Sequence, residues 1–370
     1  MSLVSQLNNK TSKVMLFFNE FKNETGFKEC LETLQSRSLP APLSFEPPNK
    51  LVTSSYLGYM ADFMFRYFLV GEEFDITKTI AFNDGFVPQD HRNKLAGNKT
   101  TIKTLENIIL AAPGKFRNIV FSEINNDFNA VFMFTAFAVL EAFHRSGRLP
   151  GVMIETITNS LISCGLYDEI IEEAYYDPEK DEMIECQPRK KYVMSSRINN
   201  VIMYLLRDNF VERATIESYY DFYYNTLGGN EFARELLLTI RNIVNSTNTN
   251  LNDVRMLVQN SALKNLLAVG GADFDAILKK NNEIILTDVK AIGRPLSEKD
   301  LMQLLGYVLL LHPEDSPEEV THAGIYYPRT GDFLYEDINK LIKLTLPKFK
   351  TVNSARNKFI TLCKKIVYKK

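Results

Sequence analysis

The chain has 370 residues, enough to bury a sizeable core in one or two lobes, and its 45% apolar and 24% charged content is ordinary for a globular protein. A formal net charge of −2 gives no global attraction for a polyanion, so a nucleic-acid partner would have to be met by local patches. The four cysteines (Cys30, Cys164, Cys186, Cys363) are dispersed, which argues against a zinc ribbon or a disulfide framework, and the most apolar helix-like run, Ala130–Leu140, is far too short to span a bilayer.

Met1–Gln6 lacks a basic segment followed by a long apolar core, so a cytoplasmic protein with no membrane association is expected. From Lys10 to Ser36 the pattern predicts a helix with Phe17, Phe18, Phe21, Phe27 and Leu31 on one rough stripe. Pro40, Pro42, Pro47 and Pro48 mark a linker. An aromatic-rich helix follows from Ser55 to Val70, with Ser54 or Ser55 as its cap. Further helices are predicted over Thr101–Ala112, Asp127–Arg145, Ile154–Ala174, Ser195–Asn209, Ile216–Thr226 and Asn230–Val244. The charged segment Tyr175–Tyr192 reads as an exposed loop or hairpin. The histidines His91, His144, His312 and His322 are scattered, and His144 reads as a helix-end residue. There is no G-x-x-x-x-G-K-[ST] loop for ATP and no G-x-S-x-G nucleophile motif.

The segment from Gly270 to Tyr307 carries the chemistry. Ala272–Leu278 and the apolar run Ile284–Leu286 read as the two strands of a hairpin, turning at Lys279–Asn282. Side chains alternate along a strand, so Ile284, Leu286, Asp288 and Lys290 share one face. Asp273 and Asp275 share a face of the first strand, and Asp275 is favoured because Ala276, Ile277 and Leu278 continue the strand beyond it. A buried strand has no packing reason to carry Asp and Lys together, since an unpaired buried charge costs roughly several kcal/mol. Either the two form a structural ion pair at a strand end, or the carboxylates build a site for a hard cation such as Mg²⁺ or Mn²⁺. Glu20-Phe21-Lys22 also spells an acid-x-Lys triplet, but in a polar helix-like stretch that reads as a solvated face. Ser297 and Asp300 then form a capping-box pattern that opens a helix from about Glu298 to Leu311. Gln303 and Tyr307, four residues apart, lie on one face of it.

Asp275, Asp288-Val289-Lys290 and Gln303-Leu304-Leu305-Gly306-Tyr307 together resemble the PD-(D/E)XK nuclease superfamily, and the Q-x-x-x-Y element is similar to its RecB-like branch. The resemblance covers about Leu266 to Glu336 and implies an α/β fold. It would have a restriction-endonuclease-like core with a small central mixed sheet flanked by helices, preceded by a large mainly helical region. The implied division is a helical region over 1–260, whose helix 54–70 packs on the core, a nuclease core over 261–345, and a basic helix over 346–370. An earlier helix of that branch carries G-x-x-x-H; here Gly58-Tyr59-Met60-Ala61-Asp62 has the spacing with Asp in place of His. Asp62 is then either a metal ligand or a helix-face residue paired with Arg66.

Ala323–Pro328 and Gly331–Tyr335 read as two more strands that would complete the sheet. Beyond Asp337 there is no acidic residue, while Lys340, Lys343, Lys348, Lys350, Arg356, Lys358, Lys364, Lys365, Lys369 and Lys370 are basic. This tail suits a phosphate backbone, and its terminal helix, Ser354–Tyr368, also has an apolar stripe of Phe359, Ile360, Cys363 and Val367. The expected function is a metal-dependent nuclease acting on DNA rather than RNA. Asp275, Asp288, the Val289 carbonyl and Asp62 would hold Mg²⁺ or Mn²⁺. Lys290 would act on water or the transition state, and Gln303 and Tyr307 would orient Lys290 or touch a phosphate. The alternative is a silent nuclease-fold protein that binds nucleic acid, or a protein partner through the helical region.

Overall fold

The computed structural model describes residues 3–37, 41–71, 76, 79, 98–111, 128–163, 167–177, 181–194, 210–265, 269 and 272–364. The chain opens with three short helices, α1 (Leu3–Asn8), α2 (Lys13–Asn19) and α3 (Thr25–Arg37). The predicted helix over Lys10–Ser36 is therefore two, and Glu20-Phe21-Lys22 lies in the turn between them rather than on a helix face. The break lets Phe21 bury itself beside Phe17 and Phe18 instead of following a helical stripe. The proline-rich segment that follows is tied down: Ser44 N–H donates to Glu235 Oε1 at 2.9 Å, and Arg329 Nη2 donates to Pro42 O at 3.0 Å.

Helix α4 (Lys50–Val70) begins at Asn49, whose side chain accepts from Val52 N–H, so neither Ser54 nor Ser55 is its cap. Then come α5 (Asn98–Leu110), α6 (Phe128–Ser146) and α7 (Gly151–Ser163). The predicted continuation of the last helix to Ala174 is a strand instead. β1 (Tyr167–Asp177) pairs antiparallel with β2 (Glu182–Met194), so Tyr175–Tyr192 belongs to a long hairpin. Asp181, with φ 53°, supplies the left-handed residue at its turn. The predicted helix Ser195–Asn209 lies outside the described residues. Helix α8 (Phe210–Asp221) runs into a π-helical turn, Phe222–Leu227, and α9 (Gly229–Asn248) follows.

The central sheet begins earlier than predicted, with β3 (Val254–Ala262). β4 (Asp273–Lys280) and β5 (Glu283–Val289) form the expected hairpin, closed at Lys280↔Glu283 with Asn281 at φ 54°. α10 (Glu298–Leu310) starts with the full Ser297/Asp300 capping box. β6 (His322–Tyr327) and β7 (Asp332–Asp337) precede α11 (Ile338–Thr345) and α12 (Val352–Lys364). The sheet order is β3-β4-β5-β6-β7, and only the β5–β6 pair is parallel. A parallel neighbour demands a crossover, and α10 provides it. The protein is thus α/β, with a five-stranded mixed sheet, a separate hairpin and helices on both faces.

Each sheet face has its own core. Ala276, Leu278 and Tyr326 point into a layer built from α4 to α9. Ile277, Ile284, Leu286 and Ile325 point into a layer built from α1 to α3 and α10 to α12. Phe65 of α4 stacks on Tyr326 of β6 with ring centroids 4.2 Å apart, so this helix packs on the sheet as expected. In α12 the predicted stripe residues Phe359 and Cys363 are buried, while Val367, Lys365, Lys369 and Lys370 lie outside the described residues. Among the described residues no helix is long and apolar enough to cross a membrane.

One buried ion pair ties α9 to the β6–β7 turn: Arg329 Nη2 meets Glu235 Oε2 at 2.7 Å, with both side chains nearly inaccessible. Arg329→Ala should lower the unfolding free energy by about 3–5 kcal/mol, because it strands a buried carboxylate. Adding Glu235→Gln should recover part of that loss in urea denaturation.

Candidate active site

The two central strands part company at one point. Their antiparallel register ends at Ala276↔Thr287, whereas β5 stays paired with β6 as far as Val289↔Tyr326. Pairs in such a ladder alternate between hydrogen-bonded and open, and the register puts Asp275 opposite Asp288 at the next, open position, where side chains come closest. Val289 N–H, which a continuing ladder would send to a β4 carbonyl, donates instead to Asp275 Oδ2 at 2.7 Å. On the other side, Lys290 N–H donates to Tyr326 O at 2.8 Å. β6 then reaches Pro328, which has no N–H to continue the pairing.

A cleft of about 760 Å³ opens at these strand ends. Its floor is Asp275, Asp288, Val289 and Lys290; α10 contributes Gln303 and Tyr307, and α4 contributes Gly58, Tyr59 and Asp62. All the predicted site residues therefore line one space. Lys290 Nζ lies 3.0 Å from Asp288 Oδ2 and donates to Gln303 Oε1 at 2.8 Å. Gln303 Nε2 in turn donates to the Tyr307 hydroxyl at 2.7 Å. Gln303 thus links the Lys290 ammonium to the Tyr307 hydroxyl through two hydrogen bonds. Gly306, between them, lets α1 settle on α10: a Cβ there would lie 2.9 Å from Leu3 Cδ2.

Asp62 combines both of its readings. Its Oδ2 pairs with Arg66 Nη2 at 2.7 Å, while Oδ1 is buried with no hydrogen-bond partner among the described residues. Gly58, one turn earlier, leaves open space where a side chain would stand.

The sequence reading gave α6 as a helix over Asp127–Arg145 but did not place it at the site, where it supplies Glu141, His144 and Arg145 to the same cleft. Arg145 Nε pairs with Glu141 Oε1 at 2.7 Å, and its guanidinium lies over the Tyr59 ring, 5.5 Å from the centroid. The available signal was a lone Glu in the apolar run Val131–Phe143, with Arg four residues on.

Charge is concentrated here away from water. Burial pushes the Asp288 carboxyl up to about 7; Lys290 opposes the shift and Asp275 reinforces it. Burial likewise pushes Asp62 up to about 7, opposed by Arg66 and reinforced by Asp275. Burial alone would lower the Lys290 ammonium, but the Asp288 carboxylate outweighs it and holds the pKa above its ordinary value.

Among the described residues, no group of three or more His, Cys, Asp or Glu side chains is already gathered around a metal-sized point. The donor set nevertheless suits a hard divalent cation: it consists of carboxylate oxygens, one of them buried and unpartnered. No protein-family model matches this chain, and neither a curated protein nor a solved structure matches it.

The raised carboxyl groups fix a pH dependence. A folded-state pKa near 7 against about 3.8 unfolded means the folded protein holds more protons between those values. The associated stability is fully present below about 3.8 and is lost as pH rises through 7. The Tm measured in EDTA should therefore fall from pH 5 to pH 8 by these groups' contribution, and Asp62→Asn with Asp288→Asn should flatten that fall.

Proposed function

We propose that the chain is a divalent-metal-dependent nuclease with a restriction-endonuclease-like core, hydrolysing phosphodiester bonds of DNA. The observation that carries this reading is the placement of Asp275 opposite Asp288 at the parting of β4 and β5, with Lys290 on the same strand end in one cleft. Asp275, Asp288, the Val289 carbonyl and Asp62 would hold Mg²⁺ or Mn²⁺. Such an ion, when bound, acidifies water and offsets phosphate charge.

The chain's own residues supply the rest. Lys290 stays protonated under the influence of Asp288, so its role is to donate toward water or toward charge growing on the phosphate, not to act as a general base. Gln303 holds that ammonium in place, and Tyr307 holds Gln303. The large cleft, open to solvent at the strand ends, gives an extended substrate room to enter.

The competing reading is a binding protein that keeps this architecture without hydrolysis. It draws support from the ion pairs Asp62–Arg66 and Asp288–Lys290, which already compensate much of the buried charge.

The test is incubation of the purified chain with single- and double-stranded DNA in Mg²⁺, Mn²⁺ or EDTA. We expect metal-dependent cleavage that falls at least about 100-fold in Asp288→Ala and in Lys290→Ala, within the range for loss of one catalytic group. Gln303→Ala, which only loosens Lys290, should cost less. Cleavage surviving Asp288→Ala and Lys290→Ala at full rate would remove the assignment, and nucleic-acid binding with no cleavage in any metal would favour the binding protein.

A further inference from the structure

We infer that Arg145 of α6 is a phosphate-binding residue of the cleft, gripping the backbone of a nucleic-acid strand laid across Asp275 and Asp288. The inference names a contact within the site proposed above and rests on that reading for the identity of the ligand.

Two side-chain cations, Arg145 and Lys290, line the cleft. Lys290 is 14% exposed and already engaged by Asp288 and Gln303. Arg145 is 37% exposed, and among the described residues only its Nε has a hydrogen-bond partner, Glu141. Among the described residues, neither Nη group has a partner, and both can serve a ligand. The guanidinium is also held in place: Glu141, itself buried, fixes one edge, and the Tyr59 ring supports the group. An immobilised guanidinium with two unused donors is suited to bidentate binding of a phosphate, and it loses little freedom on doing so. Asp62, Asp275 and Asp288 line the same cleft, so a phosphate bound by Arg145 shares that space with the carboxylates. A structural role for the Glu141–Arg145 pair would require only the Nε contact. It gives no reason for the open donors to face a cleft.

Binding, rather than cleavage, is the decisive readout. The full-length chain is titrated against a fluorescent DNA oligonucleotide in Ca²⁺, with salt varied. Arg145→Ala should weaken binding about 10- to 100-fold and reduce the salt slope by about one. Arg145→Lys should restore charge but only part of the affinity. Arg148→Ala removes the same charge three residues away, outside the cleft lining, and should change affinity less than about twofold. If Arg145→Ala fails to fold because Glu141 is stranded, Glu141→Gln with Arg145→Gln removes both charges and takes its place. Equal affinity in wild type and Arg145 variants would overturn the inference, and so would equal losses in Arg145→Ala and Arg148→Ala. Absence of nucleic-acid binding by the wild type would overturn both this inference and the nuclease reading. Arg145-dependent binding without cleavage in Mg²⁺ or Mn²⁺ would sustain the phosphate contact and remove the nuclease.

Discussion

A carboxylate does the work of a strand at the centre of this molecule. Where β4 leaves β5, the Val289 N–H would lose its ladder partner, and Asp275 Oδ2 takes it at 2.7 Å. A buried amide left unpaired would cost roughly 1–3 kcal/mol, so the bond offsets the ladder pairing lost where β4 leaves β5 while staying paired with β3. That parting leaves Asp288 and Lys290 at a strand end whose β4-facing edge is out of the ladder. The same bond fixes one oxygen of Asp275 and thereby sets where the other points. Geometry at the cleft floor thus follows from backbone satisfaction.

The surrounding layers converge on that floor because each sheet face has its own core. α4 and α6 belong to one layer, α1 and α10 to the other, and the cleft lies at the seam where the sheet between them ends. The long apolar helices α4 and α6 carry three buried charges, Asp62, Arg66 and Glu141, each in an i,i+4 pair. Pairing makes such burial tolerable, and the helix spacing supplies it locally. Three acidic groups of the site, Asp62, Glu141 and Asp288, are therefore already ion-paired when the layers meet.

How much of this was legible in the sequence depended on the range of the information. β5 announces itself through Ile284–Leu286, and α10 through Ser297 and Asp300, because strand alternation and capping are local rules. Asp62 was placed by spacing alone, and the structure adds that its two oxygens have different fates. β1 was read as helix because Ile170 and Ile171 continue the apolar pattern of α7, and only the pairing with β2 turns them into strand. β3 was missed because Val254–Ala262 has a register shift between Met256 and Val258 that spoils clean alternation. Arg145 was unreadable for a deeper reason. An i,i+4 Glu–Arg pair looks the same on a solvated helix face as on a cleft wall, and only the tertiary fold distinguishes them.

Within the proposed nuclease, the balance of charge explains why the cleft would need more than its own side chains to receive a phosphodiester. Asp62, Glu141, Asp275 and Asp288 line it, against Arg145 and Lys290, and Arg66 behind Asp62 reduces the acidic excess from two to one. A polyanion entering this space is repelled unless something offsets the excess. Protonation would do so, and the upward shift of Asp62 and Asp288 is the sign of that tendency. It also silences the oxygens as ligands. A divalent cation offsets the same charge while keeping both carboxylates ionised, which protonation cannot do. In the proposed nuclease, the acidic excess of the cleft would thus be answered by a cation rather than by protons. Within the proposed nuclease, the cation and Arg145 then divide the task, one answering the carboxylates and the other the incoming phosphate.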